Sequence, residues 1–199
     1  KRISKVQEKE MTKKCTNVIV GWLVRCDAIE EKDRELYQYA VYSVLLSTYP
    51  LLFATCFGVV IGEVERSIAI IIPFAVIRKF SGGYHTKNSW SCFLWSSLLL
   101  LLCIGLSIYA RCGWFVTIVT VMAEISLIYF SPIDNENRKL SQEECKEYKK
   151  KTAFWTYFFF MVALIFYFVK WEKYSVCIFI GIILSAGLQI PCIIKGRIK

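Results

Sequence analysis

The sequence contains no polar stretch of about 50 residues, the least from which a separate soluble domain is usually built. Most of the chain is apolar instead: 56% of its 199 residues are hydrophobic, and the mean hydropathy is +0.46. A water-soluble domain of this size does not need so much apolar sequence. The composition therefore indicates an all-α, polytopic membrane protein, and it argues against ATP-driven chemistry and nucleic-acid binding.

The chain also lacks the motifs of several common enzyme classes. It has no GxSxG turn, no HExxH pair and no Gly-rich phosphate loop followed by Lys-Ser or Lys-Thr. Its single histidine, His85, cannot assemble a usual zinc site. We therefore expect neither a metal ion nor another cofactor.

Cysteine is plentiful, but its spacing does not indicate a disulfide framework. The nine cysteines include no CxxC pair, and most are expected to be small apolar fillers in or beside helices. The first 36 residues carry nine Lys or Arg residues without a signal-peptide core. We therefore expect no cleaved signal at this end of the sequence.

Six segments are apolar enough to cross a membrane as helices. They are Tyr37–Gly62, Ser67–Phe80, Ser91–Ala110, Trp114–Phe130, Thr152–Val169 and Tyr174–Ile194. The second is short and contains Pro73, so by length alone it fits a re-entrant hairpin as well as a crossing. Six crossings place 21 of the 25 Lys and Arg residues on one side, whereas a hairpin would divide them 12 against 13. Because basic residues collect on the cytoplasmic side, we predict six crossings with both termini in the cytoplasm.

Before the first crossing, apolar residues recur at three- and four-residue steps, the spacing of one helix face. They are Met11, Cys15, Val18, Ile19, Trp22, Cys26 and Ile29. We predict an amphipathic helix at the cytoplasmic interface, either an anchor whose lysines meet anionic lipid headgroups or a receiver of a substrate helix. The predicted organisation is a cytoplasmic segment over residues 1–36 and a six-helix membrane domain over residues 37–199, with loops at 78–92 and 131–151.

The single histidine lies in a loop that the charge pattern places in the cytoplasm. His85 stands seven residues before Cys92. A continuous helix would separate them by about 10 Å along its axis, too far for a hydrogen bond. Gly82 and Gly83 permit a turn that folds His85 back. The two residues are therefore either a Cys/His catalytic pair or, as is common for such residues in membrane proteins, headgroup and packing contacts.

Cys92 stands near the predicted beginning of the third crossing helix. Asn88 or Ser89 is a good N-cap, and with Ser89 as the cap Cys92 lies in the first turn. There the helix macrodipole and a nearby imidazolium would both favour the thiolate, the form of cysteine that attacks carbonyl carbons. The free amides of the same turn are candidates for an oxyanion hole.

An acidic residue, Glu124, lies inside the fourth predicted crossing. An intramembrane carboxyl group is a functional candidate by default. It is equally interpretable as a protonated or hydrogen-bonded side chain in the bundle interior. A role in orienting His85 stays open.

Two blocks of the sequence carry a family resemblance. The first block consists of Arg78, Lys79, Gly82, Gly83, His85 and Cys92. The second is the polar loop that begins at Pro132 and runs through residues 134–138 to a basic end. These blocks resemble the accessory gene regulator B (AgrB) family, membrane peptidases of Gram-positive bacteria. The chain length, the crossing count and the amphipathic beginning also match, so the resemblance covers most of the chain.

The resemblance implies a cysteine endopeptidase of the bacterial cell membrane with a cytoplasmic active site. Its substrate would be an AgrD-like signal propeptide, from which an acidic C-terminal tail is removed while the remainder becomes a thiolactone or lactone. Cys92 would be the nucleophile and His85 the general base and acid. The candidate supporting or substrate-binding residues are Arg78, Gly82, Gly83, Ser89, Glu124 and Pro132.

The resemblance also implies a homodimer in contact with membrane lipid. Gly181 and Ser185 have the small-xxx-small spacing that allows two helices to approach closely. Two other functions fit the residues less well. A non-catalytic multipass peptide transporter would use His85 and Cys92 for packing, and a membrane thiol acyltransferase would share the pair but differ in substrate.

Overall fold

In a computed structural model, helices connected by short turns make up most of the residues that the structure describes, which are 2–82, 89–133 and 141–194. The helices are α1 (Arg2–Arg25), α2 (Arg34–Val60), α3 (Val64–Ser81), α4 (Ser89–Tyr109), α5 (Trp114–Phe130), α6 (Gln142–Phe168), α7 (Glu172–Gly187) and α8 (Ile190–Ile194). A 3₁₀ turn, Glu31–Asp33, precedes α2. These ranges contain no strand, so the all-α prediction is confirmed.

Each predicted crossing falls on a helix, and the last falls on α7 and α8 together. Two helical stretches, Gln142–Phe168 and Glu172–Ile194, are long and apolar enough to cross a membrane. Shorter apolar helices run over Thr48–Val60, Phe93–Tyr109 and Trp114–Phe130. The α3 helix continues through Pro73 without a break, over about 27 Å, which does not fit a hairpin. The number of crossings stays a prediction.

The polar loop predicted at 131–151 is shorter than expected, because α6 begins at Gln142 rather than at Thr152, where the predicted crossing begins. Ser141 and Glu144 form a capping box, in which each side chain accepts the other residue's backbone N–H at 3.2 and 2.9 Å. An ion pair between Lys151 and Glu147, four residues apart, supports the same helical turns. The basic end of the predicted loop is therefore a helix.

The chain divides into two units, and the larger one consists of Ala54–His85 and Leu99–Lys199. In this unit α3, α5 and α6 each pack against α7. The core consists of buried apolar side chains, namely Ile77, Ala123, Leu127, Phe159, Ala163, Ile178, Phe179, Ile182 and Ala186. These side chains have no polar group to satisfy, and their close packing contributes dispersion attraction between the helices.

The α3 and α7 helices approach each other closely at Gly181. A Cβ atom on this residue would lie 2.8 Å from the carbonyl oxygen of Ile70 and 2.8 Å from Cγ of Pro73. The Ser185 hydroxyl is buried as well and donates to the carbonyl of Gly181 at 2.9 Å. The small-xxx-small pair thus serves helix packing inside one chain. The surface of this pair is already covered within the chain, so it is not free to join two chains.

The smaller unit consists of Lys1–Phe53 and Thr86–Leu98. Within it, the Gln38 amide on α2 donates to the Asn17 side chain on α1 at 3.2 Å. Thr16 and Val20 of α1 are buried, whereas Val18 and Trp22, on the predicted apolar face, are 72% and 63% exposed. A helix is therefore present here, with Val18 and Trp22 exposed among its described side chains, and its amphipathic character stays a prediction.

Candidate functional site

The nucleophile candidate lies at the beginning of a helix. Because α4 begins at Ser89, Cys92 is the fourth helical residue and belongs to the first turn. The N–H groups of the first four residues of an α-helix have no acceptor within the helix. His85 and Gly83 lie outside the described residues, as do the side chains of Ser89 and Cys92. The distance between the imidazole and the thiol therefore stays a prediction.

Gly82, the last described residue before His85, ends α3 in a conformation that favours glycine. Its φ is +71°, and its N–H donates to the carbonyl of Arg78 at 3.2 Å. A Cβ atom here would lie 2.5 Å from the carbonyl oxygen of Ile133. Both the backbone conformation and the close approach therefore exclude a larger residue.

The end of α3 is joined to the segment that follows α5. The N–H of Ile133 donates to the carbonyl of Ser81 at 3.0 Å. Ser131 and Ile133 are buried on either side of Pro132. Two of the predicted supporting residues, Gly82 and Pro132, are thus brought together, although they are far apart in sequence.

Sequence reasoning missed one residue at this end of the bundle, Gln189. Its side chain is fully buried between α7 and α8, and its Nε2 donates to the Ser131 hydroxyl at 2.9 Å and to the Ser81 carbonyl at 3.4 Å. A glutamine inside the apolar run of the last predicted crossing is the signal that would have identified it.

A basic and aromatic cluster lies beside the same end of α3. Lys79 and Lys151 place their ammonium groups 5.6 and 5.8 Å from the centre of the Phe80 ring. Tyr148 of α6 packs against that ring at 6.0 Å. Arg78, a predicted supporting residue, lies over the ring of Phe74 at 5.8 Å. Cation–π contacts hold these positive charges near the last turn of α3.

Glu124 is buried in the middle of α5. Its Oε1 accepts no hydrogen bond from any residue in the described ranges. Seven residues separate it from Ser131, about 10 Å along the helix. The structure therefore does not bring the carboxyl group to the contact between Gly82 and Ile133.

A cavity of about 370 Å³ lies at the opposite end of α3, between α3, α6 and α7. Its mouth carries Glu65, which accepts hydrogen bonds from Lys173 and Tyr174, both at 2.7 Å. The Lys173 hydrogen bond is the main reason that the pKa of Glu65 is lowered. About 25 Å of helix separates Glu65 from Gly82, and about 14 Å separates Gly82 from Pro73, the lining residue of α3 nearest to it. The cavity is therefore not part of the candidate site. Within the described residues no three His, Cys, Asp or Glu side chains gather as metal ligands would.

Two apolar helical stretches of membrane-spanning length fit the class of helical membrane proteins. Comparison with known proteins names the family within that class. The chain belongs to the accessory gene regulator B family, whose model matches residues 13–192.

Related proteins come from Clostridium perfringens. AgrB-like protein 2 of strain 13 is 24% identical over 131 residues, which cover 61% of each chain. AgrB-like protein 1 of the same strain is 25% identical over 151 residues, covering 72% of this chain and 80% of the relative. The chain thus spans about three fifths of the length of the first of these relatives. No solved structure matches it.

Proposed function

We propose that this protein is a membrane cysteine endopeptidase that processes a quorum-sensing signal propeptide at the cytoplasmic face. Membership of the AgrB family over residues 13–192 is the observation that carries the proposal. The substrate is an AgrD-like propeptide, and the products are a released C-terminal tail and a cyclic thiolactone or lactone.

The proposed reaction begins when His85 takes the thiol proton of Cys92. The resulting thiolate attacks the scissile carbonyl carbon, and the tetrahedral intermediate collapses as His85 protonates the leaving amine. The C–N bond is then broken, and the amino-terminal part of the peptide is held on Cys92 as a thioester. A Cys or Ser of the same peptide attacks this thioester, closes the ring and returns the Cys92 thiolate. Proximity favours this intramolecular attack over hydrolysis where water is restricted.

The position of Cys92 supports its role as the nucleophile. In the first turn of α4 it stands at the positive end of the helix macrodipole, which favours a thiolate. The N–H groups of the same turn, which have no acceptor within the helix, are suited to stabilise the negative oxygen of the tetrahedral intermediate. The macrodipole and the N–H groups of the first turn both belong to the helix backbone.

The charge of the chain supports an acidic substrate. Lys149, Lys150 and Lys151 are exposed on α6, next to the aromatic residues that pack at the end of α3. Their positive field would attract the acidic tail of the propeptide. The exposed apolar face of α1 would lie in the cytoplasmic headgroup layer.

Two further features belong to the proposal. The first is six crossings with both termini and the site in the cytoplasm, which labelling tests directly. Cys15, Cys26 and Cys145 should stay unlabelled by an impermeant thiol reagent in sealed cells. The second is a homodimer, whose contact surface does not include Gly181 or Ser185.

Co-expression with the cognate propeptide, followed by mass spectrometry, tests the activity. Cys92→Ala should abolish cleavage while the protein still inserts and binds the peptide. His85→Ala should reduce the rate by about 10²- to 10⁴-fold, as expected for loss of a general base or acid. Because the two residues act as a unit, the double variant should be scarcely slower than either single variant.

A variant that retains Cys92 and replaces the other eight cysteines is the matched control. It should still cleave the peptide and form a trappable thioester on Cys92. Robust cleavage by the Cys92→Ala protein would refute the peptidase and favour a transporter instead. Acyl transfer to a lipid without peptide cleavage would indicate the acyltransferase.

A further inference from the structure

A buried amide stands where the chain leaves α3 for the proposed catalytic loop. Gln189 has no exposed surface, and its Nε2 donates to Ser131 Oγ at 2.9 Å and to the Ser81 carbonyl at 3.4 Å. The Ser81 carbonyl also accepts the N–H of Ile133 at 3.0 Å. One side chain thus joins three segments of the chain, namely the end of α3, the segment after α5 and the end of α7.

Packing alone does not explain a glutamine at this position. Gln189 Oε1 is buried and accepts no hydrogen bond within the described part of the chain. A buried amide with an unsatisfied oxygen is costly, whereas a leucine of similar size would fill the same space without that cost. The amide is therefore best explained by the hydrogen bonds that its nitrogen donates.

Those hydrogen bonds lie immediately before the proposed general base. Gly82 follows Ser81 directly, and His85 comes three residues later, within about 10 Å of extended chain. The hydrogen bonds that the Ser81 carbonyl accepts restrict the direction in which the chain enters this short connection, together with the close contact of Gly82 with Ile133. In a catalytic pair, a displacement of about 1 Å can cost a factor of 100 in rate.

We infer that Gln189 is a positioning residue: by holding Ser81 and Ser131 together, it fixes the start of the loop that carries His85 to Cys92. The inference rests on the proposed function. Gln189 touches neither substrate nor reacting atoms in this account, and its effect on the reaction is exerted through His85.

The test compares three variants of the full-length protein in membranes. Gln189→Leu removes both hydrogen bonds while keeping the size of the side chain, and Ser131→Ala removes one of them. Ser185→Ala is the matched control, because that buried hydroxyl donates only within its own helix. Gln189→Leu should lower kcat for propeptide cleavage by roughly 10- to 100-fold with KM changed less than about twofold. The kcat of Ser131→Ala should fall by a smaller factor, and the kcat of Ser185→Ala should hardly change.

A second readout separates positioning from simple loss of stability. In the variant that retains only Cys92, the rate of thiol alkylation against pH reports the thiolate. Gln189→Leu should move this profile to higher pH, towards that of an ordinary cysteine, because the imidazole no longer meets the thiol. Ser185→Ala should leave the profile unchanged.

Unchanged kcat and an unchanged alkylation profile in Gln189→Leu would overturn the inference. So would a loss of inserted protein with a normal kcat in the molecules that remain. If Gln189→Leu fails to insert into the membrane, Ser131→Ala becomes the deciding variant. A normal kcat in Ser131→Ala would then reject the positioning role of Gln189. The proposed function fails separately, by cleavage in Cys92→Ala, so the two failures are distinguishable.

Discussion

The two ends of α3 are built in different ways. At its last turn, Ser81 and Gly82 meet Ser131, Ile133 and Gln189 through buried, uncharged hydrogen bonds and a contact that only glycine permits. At its first turn, Glu65 and Lys173 form an ion pair, and their side chains are 63% and 37% exposed. The last turn of α3 is thus held by buried hydrogen bonds and close packing, and the first turn by an exposed ion pair.

This difference indicates which end can tolerate change. An exposed ion pair gains little, because water solvates both charges when they separate. Buried polar contacts have no such substitute, so the loss of one partner leaves another unsatisfied. The end that precedes His85 is the one that requires a specific geometry, as a catalytic loop would. Substitutions at matched positions should therefore have unequal effects.

The largest effect is expected from Gly82→Ala. The change combines a positive φ with a Cβ atom 2.5 Å from the Ile133 carbonyl, so the end of α3 must move. Propeptide cleavage should fall by about 10²-fold, measured at equal amounts of inserted protein.

Gly62→Ala is its control at the other end of α3. Gly62 also has a positive φ, +74°, but no atom lies within 4 Å of its added Cβ. This variant should carry only the conformational strain and keep nearly full activity. Equal losses in both variants would mean that the close approach to Ile133 has no functional importance.

A moderate loss of stability is expected from Gly181→Ala, because Gly181 of α7 packs against the middle of α3. The added methyl group would meet the Ile70 carbonyl and Pro73 at 2.8 Å, and such overpacking costs typically about 1–3 kcal/mol. Thermal unfolding in detergent should show a lower Tm. Gly187→Ala, on the same helix with open space around it, should not lower Tm.

A smaller effect should follow from neutralising the basic residues near the loop end. Changing Lys149, Lys150 and Lys151 together to Gln should raise KM for the propeptide roughly 10-fold, with kcat and membrane insertion nearly unchanged. The effect should shrink as salt is added. Lys170→Gln with Lys173→Gln, at the other end, should leave KM unaltered. An unchanged KM in the triple variant would assign that cluster to membrane orientation alone.

The smallest effect is expected from Glu65→Gln. The Lys173 hydrogen bond lowers the pKa of Glu65, so in the native protein the carboxylate is charged at neutral pH. Its contribution to stability is present above the ordinary pKa of a glutamate and is lost as the pH falls through the lowered pKa. The Tm of the variant should be slightly below that of the native protein at pH 7, and the difference should vanish in acid. A large difference at pH 7 would show that this end is more constrained than the exposure of its ion pair indicates.

The local pattern of the sequence was sufficient to predict much of the fold. Hydropathy located every helix of the membrane domain, and the predicted segment Trp114–Phe130 coincides with α5. The spacing of His85 and Cys92, with the glycines before them, indicated the family that the comparison then showed. The beginning of α6 was also readable, because Ser141 and Glu144 have the spacing of a capping box. It was missed because the segment was interpreted by its polarity alone.

Only the tertiary structure decided which distant residues meet. Gln189 contacts Ser81 across 108 positions, and Gly181 packs on α3 within its own chain rather than on a second copy. Hydropathy and periodicity describe the side chains along one helix, so they determine where helices form and which faces are apolar. They do not determine how two helices pack, because that depends on the shapes of both surfaces together. The sequence by itself thus determined the helices and the candidate chemistry, while helix packing decided which residues meet at the end of α3.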